Sequence, residues 1–205
     1  MVNLNANRRP GSSFGWRSAG DFYLHRRIFT LTISSVRVVK VGMSIEQDLA
    51  KIALQEQSLC FEQFDERTAW EIGTRLRAAA EKRGAAIAID VTLCGCTVFA
   101  CSMVGASPNN ANWVRRKRNT VLHFHRSSYG FGLQLAHEKT DLTGKFGLPL
   151  SDYAVQGGSF PIRVVGTGVI GAVTVSGLPQ REDHKAVVAV LADFFKKPMV
   201  DLALD

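Results

Sequence analysis

Two β-rich runs separated by a three-residue spacer constrain this chain more than any other stretch. Phe160 to Val165 is followed by Gly166-Thr167-Gly168, and then by Val169 to Ser176. A parallel crossover needs a dozen or more residues, so runs joined this tightly pair as an antiparallel hairpin. Gly157-Gly158 feeds the hairpin and Ser176-Gly177-Leu178-Pro179 empties it. Glycine at such points serves a positive φ or the close approach of another backbone. A second pair, Ala86 to Leu93 and Thr97 to Val104, is linked just as tightly. Its first run puts Ile87, Ile89, Val91 and Leu93 on one face, and its second is apolar on both faces.

Helical signals flank these pairs. Ser44 with Gln47 three residues on reads as a capping box, opening a helix to about Leu59 with Leu49, Ile52 and Ala53 on one side. Asp65 caps a second helix, in which Ala69, Ile72, Gly73, Leu76, Ala79 and Ala80 recur at helical spacing until Gly84 ends it. Pro108-Asn109-Asn110 starts a helix to about Arg126, and another runs from Ser127 to Lys139. A polar loop over 140–152 leads to the hairpin. The last helix, Arg181 to Lys196, presents Val187, Val190, Leu191 and Phe194 inward. The order α-α-β-β-α-α-β-β-α predicts an α/β (α+β) fold, an antiparallel sheet covered by helices with the 161–176 hairpin in its interior.

The net charge of +7 suggests a nucleic-acid binder until it is divided along the chain. Residues 1–42 hold seven Lys/Arg and one acid, a net of +6, so the other 18 basic and 17 acidic residues leave 43–205 at +1. The nearly neutral part has no field suited to polyanions, so neither nucleic acid nor membrane is expected as a partner. Residues 1–42 are Arg- and Ser-rich, and their most apolar run is too short and polar to span a bilayer. They read either as an organellar transit peptide or as an extension upstream of a start at Met43. The capped helix directly after Met43 favours the second. In either case 1–42 is expected to lie outside the core, poorly ordered or loosely packed, with 43–205 forming one domain. Cys60, Cys94, Cys96 and Cys101 lack zinc spacing and are expected to be reduced, mostly buried thiols of a cytoplasmic protein, with no metal site.

NWVRRKRNTV (112–121), SSYGFG (127–132), GLPLSDYAVQGGSFPIRV (147–164) and GVIGAVTVSGLPQREDH (168–184) closely resemble the haem-degrading-domain family. Relatives there include the glycolate-operon protein GlcG and secreted haem-binding proteins, and the match is strongest to an uncharacterised cytoplasmic branch. The resemblance covers about Ser44 to Phe195. It implies a profilin-like fold, a homo-oligomer and haem as a cofactor or ligand. That branch often carries a histidine before the double glycine where this chain has Gln156, which can neither shuttle protons nor ligate as an imidazole does.

No catalytic set emerges: there is no G-x-S-x-G, P-loop, H-E-x-x-H, or G-x-G-x-x-G followed by an acid. The catalytic residues, and whether the chain is an enzyme, stay unknown. The candidates are ligand-binding ones. A helical wheel around Val114 gathers Val114, Val121 and His125 with Lys117 and Arg118, and turns Arg115, Arg116, Asn119, Thr120 and His123 away. Cations on an apolar face imply pairing, snorkelling or an acidic ligand. His125, four residues before Tyr129, is the candidate haem ligand against a reading as a hydrogen-bonded core or interface histidine. His184, in the first turn of the last helix, is expected to be neutral because of the dipole. Gly157-Gly158 either offers N–H groups to an anion or lets strands approach. Two functional classes follow. One is binding of a small anionic planar ligand of the haem type near Lys117, His125 and Gly157-Gly158; the other is an oligomeric scaffold or adaptor acting through protein–protein contacts.

Overall fold

Five of the described helices begin where a side chain accepts from an otherwise unpaired N–H group. In this computed structural model residues 44–204 are described; the expectations for 1–42 and for a start at Met43 lie outside the described residues. Ser44 Oγ accepts from the Gln47 N–H at 3.3 Å and Gln47 Oε1 accepts from the Ser44 N–H at 2.9 Å, opening α1 (Ile45–Ser58) with the predicted capping box. Asp65 Oδ1 accepts from the Thr68 N–H at 2.8 Å at the start of α2 (Glu66–Arg83). Gly84 ends that helix at φ +61°.

Among the described residues the sheet has four strands: β1 (Ala88–Leu93), β2 (Cys96–Ser102), β3 (Ser159–Val164) and β4 (Gly168–Ser176). All pair antiparallel in the order β2-β1-β4-β3. The hairpin therefore lies only half in the interior, because β4 is central and β3 is an edge. That edge is partly covered by Phe61, whose N–H donates to the Arg163 carbonyl at 2.8 Å and whose carbonyl accepts from the Val165 N–H at 2.9 Å. The other edge corrects a second expectation. β2 is not apolar on two covered faces: Cys96, Thr97, Ala100 and Ser102 are exposed and Phe99 is its one buried residue. Apolar composition cannot tell a central strand from an edge, and only the pairing order does.

Helices α2 and α6 (Gln180–Phe194) cover one face. Ile72, Leu76, Val187 and Leu191 meet Ile89, Val91, Val173 and Val175 there in one buried cluster. Removing each such side chain from water contributes about 1.5–3 kcal/mol. The opposite face carries α3 (Pro108–Phe124), over the side chains that alternate with those. The remaining helices are α4 (Ser128–His137), α5 (Leu142–Phe146) and α7 (Met199–Leu202). Helices α5 and α7 were not anticipated. Within the polar 140–152 stretch, Asp141 caps α5 by accepting from the Gly144 N–H at 2.7 Å, while Leu142 packs into the Phe131 and Leu135 cluster. Among the described residues no helix is long and apolar enough to cross a membrane.

Candidate functional site

Ser107 Oγ accepts from the Asn109 N–H at 3.1 Å and Pro108 takes the first helical position, so α3 starts sharply above the end of β4. Its first turns set Asn109, Asn110, Trp113 and Lys117 on one side. Asn110 Nδ2 donates to the Ser176 carbonyl at 2.9 Å and ties that side to the strand end. Between these residues, Gln156 and the segment from Ser176 at the end of β4 to Asp183 in the first turn of α6 (Gln180–Phe194) lies a cleft of about 290 Å³.

An ion pair forms its floor. Lys117 Nζ is 2.7 Å from Asp183 Oδ2, with the side chains 3% and 1% exposed, and Nζ also donates to the Val175 carbonyl at 3.3 Å. Asp183 further accepts from the N–H groups of Leu178 at 3.0 Å and Gly177 at 3.4 Å. Burial draws the ammonium below the ordinary lysine range and the carboxyl above the ordinary carboxylate range, with their mutual attraction opposing both. Gly158 makes room for the pair. At φ +123°, a Cβ would fall 2.4 Å from the Val175 oxygen and 3.0 Å from Lys117 Nζ. At Gly157 it would fall 2.1 Å from the Gln180 oxygen. The double glycine is thus a close-approach device, the second of the two readings.

Trp113, which lines the cleft, carries a cation that the wheel turns away. The Arg116 guanidinium sits 4.4 Å over the Trp113 ring. Among the described residues it is in ion-pair contact with no carboxylate, and its buried Nε has no hydrogen-bond partner. Arg115 beside it is committed to Asp152 at 2.9 Å. That hydrogen bond, the largest of several causes, holds the Asp152 carboxyl below its usual value. Thr120 is also not turned outward. It is fully buried because the Ala154 backbone crosses it, its Oγ1 donating to Ala154 O at 2.9 Å and accepting from Ala154 N at 3.1 Å.

The other predicted residues separate. Arg118 lies over the sheet, its NH1 3.1 Å from both Asp90 oxygens and from Thr92 Oγ1. His125 is not on an inner face: α3 stops at Phe124, and His125 is an exposed cap at φ +57° whose carbonyl accepts from Arg163 at 2.9 Å. Tyr129 is buried, its hydroxyl accepting at 3.2 Å from Arg181, which also clamps both Asp48 oxygens. His184 points into the core, 5.2 Å from the Tyr129 ring. Gln55 Nε2 donates to the Leu202 carbonyl at 2.6 Å, so Gln55 Oε1 is the acceptor facing His184 Nε2 at 2.8 Å, and that imidazole nitrogen carries the proton. Its Nδ1 is buried without a partner among the described residues. His184 is neutral as expected, but burial is the main cause and the Arg181 charge adds to it, holding the pKa at about 3. Helix α6 thus aims Asp183 into the cleft and the next residue into the core.

The cleft offers a planar face and amide groups, with the Arg116 guanidinium stacked on its Trp113. None of its lining residues is a histidine, cysteine, methionine or tyrosine, so its donor set does not suit an axial bond to haem iron. The thiols correct another expectation. Cys94 and Cys96 are exposed, and Cys60 and Cys101 are half-buried. Sequence reasoning missed Trp113 and Arg116 as partners, although their i, i+3 spacing on one helix was the available signal.

A family model described as "Haem degrading protein HbpS-like" matches residues 64–192. A UPF0303 protein of Rhizobium meliloti is 56% identical over 151 residues, covering 74% of this chain and 92% of the relative. The crystal structure of Ybr137w protein superposes with a TM-score of 0.67 at 28% identity, over 72% of this chain and 87% of that one. The crystal structure of a PduOC:heme complex shares the fold, with a TM-score of 0.55 at 14% identity over 63% of this chain and 93% of that one.

Proposed function

The chain belongs to the HbpS-like haem-degrading protein family, and from that membership and the cleft we propose that it binds a small planar anion of the haem type. The observation that carries this reading is the Arg116 guanidinium over Trp113, in no ion pair among the described residues. An indole face stacks a flat ring, and a guanidinium takes a carboxylate through two parallel hydrogen bonds. Lys117 and Asp183 are committed to each other, so they and Gly157-Gly158 build the floor rather than receive the anion. The heme complex of PduOC makes porphyrins the natural probes. Because no lining residue suits iron, binding here runs through the ring face and the carboxylates.

Titration with haemin and with iron-free protoporphyrin tests this. Both should saturate at one equivalent per chain with similar affinity, and both should weaken in Trp113→Leu. Binding of haemin alone would replace this reading with iron ligation outside the cleft. A second reading, a cytoplasmic homo-oligomer acting as scaffold or adaptor, draws on Trp70. That side chain is 63% exposed yet packs on Phe99 of edge strand β2 at 5.6 Å. Light scattering that returns a monomer at micromolar concentration would remove it.

A further inference from the structure

The connection between β1 and β2 consists of Cys94 and Gly95, at φ +48° and +84°. A two-residue turn with positive φ at both positions ordinarily takes Asn, Asp or Gly first. A residue with a Cβ costs about 1–2 kcal/mol there. Cysteine at that position is unusual on a second count, since free cysteines are among the most buried side chains and both Cys94 and Cys96 are exposed. The backbone also holds them in place. Cys96 pairs in register with Leu93, and the Cys94 N–H donates to the Ile170 carbonyl of β4 at 2.8 Å. Two solvent-facing thiols thus sit two residues apart on an anchored turn.

We propose that Cys94 and Cys96 form a two-thiolate site for a soft monovalent metal ion, Cu(I). Thiolate sulfur selects soft ions. Structural zinc needs four ligands, and among the described residues no third His, Cys, Asp or Glu joins the pair. Binding exchanges two S–H bonds for two S–Cu bonds and releases two protons, with no change in oxidation state. Cys60 and Cys101 stand apart from the turn: Cys60 Sγ donates to the Glu56 and Gln57 carbonyls, and Cys101 Sγ lies 4.0 Å from Met103 Sδ.

The test is anaerobic titration of the reduced full chain with Cu(I) held by a chromogenic competing chelator. The wild-type chain should withdraw one equivalent. Cys96→Ser should lose that capacity, as should Cys94→Gly, a change that suits the positive φ and so separates ligand loss from misfolding. Cys60→Ser and Cys101→Ser should retain it. Failure of the wild-type chain to take the ion from the chelator would overturn the proposal, and so would full uptake by Cys94→Gly.

Discussion

Replacing Lys117 by Met and Asp183 by Asn, singly and together, probes the cleft floor. The side chains are 3% and 1% exposed, so water contributes little to solvating either charge. Asp183→Asn leaves a buried ammonium facing an amide, and Lys117→Met leaves a buried carboxylate held by the Leu178 and Gly177 N–H groups. Removing one member of a buried pair costs about 3–5 kcal/mol, whereas replacing both is often close to neutral. The double variant keeps an Asn oxygen for the Leu178 N–H and should recover most of the loss. For a domain of this size each kcal/mol moves the melting temperature by about 2–4 °C, so each single variant should melt roughly 6–20 °C lower. The sign of the pH effect follows from burial. Asp183 already titrates above its unfolded value of 3.8, and without Lys117 it rises further. A folded carboxyl with a raised pKa binds protons that the unfolded chain has released, so it favours the folded state at low pH and loses that advantage as pH rises through its folded pKa. Lys117→Met should therefore be relatively more stable at mildly acid pH than at neutrality. Urea unfolding at both pH values, combined as a double-mutant cycle, measures the coupling. Additive single effects would refute the argument, since two independent side chains would then account for the loss.

His184 titrates at about 3 in the folded state against 6.5 in its ordinary range, so between those values the unfolded chain binds the extra proton. Stability should fall by about 1.4 kcal/mol per pH unit below 6.5, on the order of 2 kcal/mol by pH 5. The groups facing the ring are Gln55, Tyr129, Phe160 and Arg181. A His184→Gln variant with an unchanged slope in urea titrations at several pH values would assign the effect elsewhere. The glycines supply a paired contrast. Gly84→Ala, with nothing within 4 Å of the new Cβ, should cost only the left-handed conformation, about 1–2 kcal/mol. Gly158→Ala drives a Cβ against the Val175 oxygen beside the buried pair and should destabilise distinctly more in the same denaturation assay, where equal losses would contradict the close-approach role.

What was legible in the chain was local chemistry. Ser44, Asp65 and Gly84 announce their helix ends because caps depend on neighbours three or four residues away. The short glycine spacer dictates an antiparallel hairpin for the same reason. The site depends on contacts that no spacing encodes. Asp183 is recognisable as a helix-start acid, but its pairing with Lys117 requires α3 and α6 to meet at the end of β4. Thr120 lies on a face that a wheel assigns to solvent, and only the Ala154 segment crossing it from 34 residues away buries it. His125 fits a longer helix by periodicity, yet the chain turns left-handed at that residue. Edge position is likewise a property of the whole sheet, which is why β2, with the exposed Cys96 at its start, reads as core.

The central claim is that the rim of the cleft receives a planar anion, and equilibrium binding of protoporphyrin to Arg116→Met and His125→Ala tests it most directly. A hydrogen bond to a charged group contributes about 1.5–3 kcal/mol, so Arg116→Met should weaken binding by about tenfold or more while His125→Ala binds as the wild-type chain does. Unchanged affinity in Arg116→Met together with loss in His125→Ala would contradict the account.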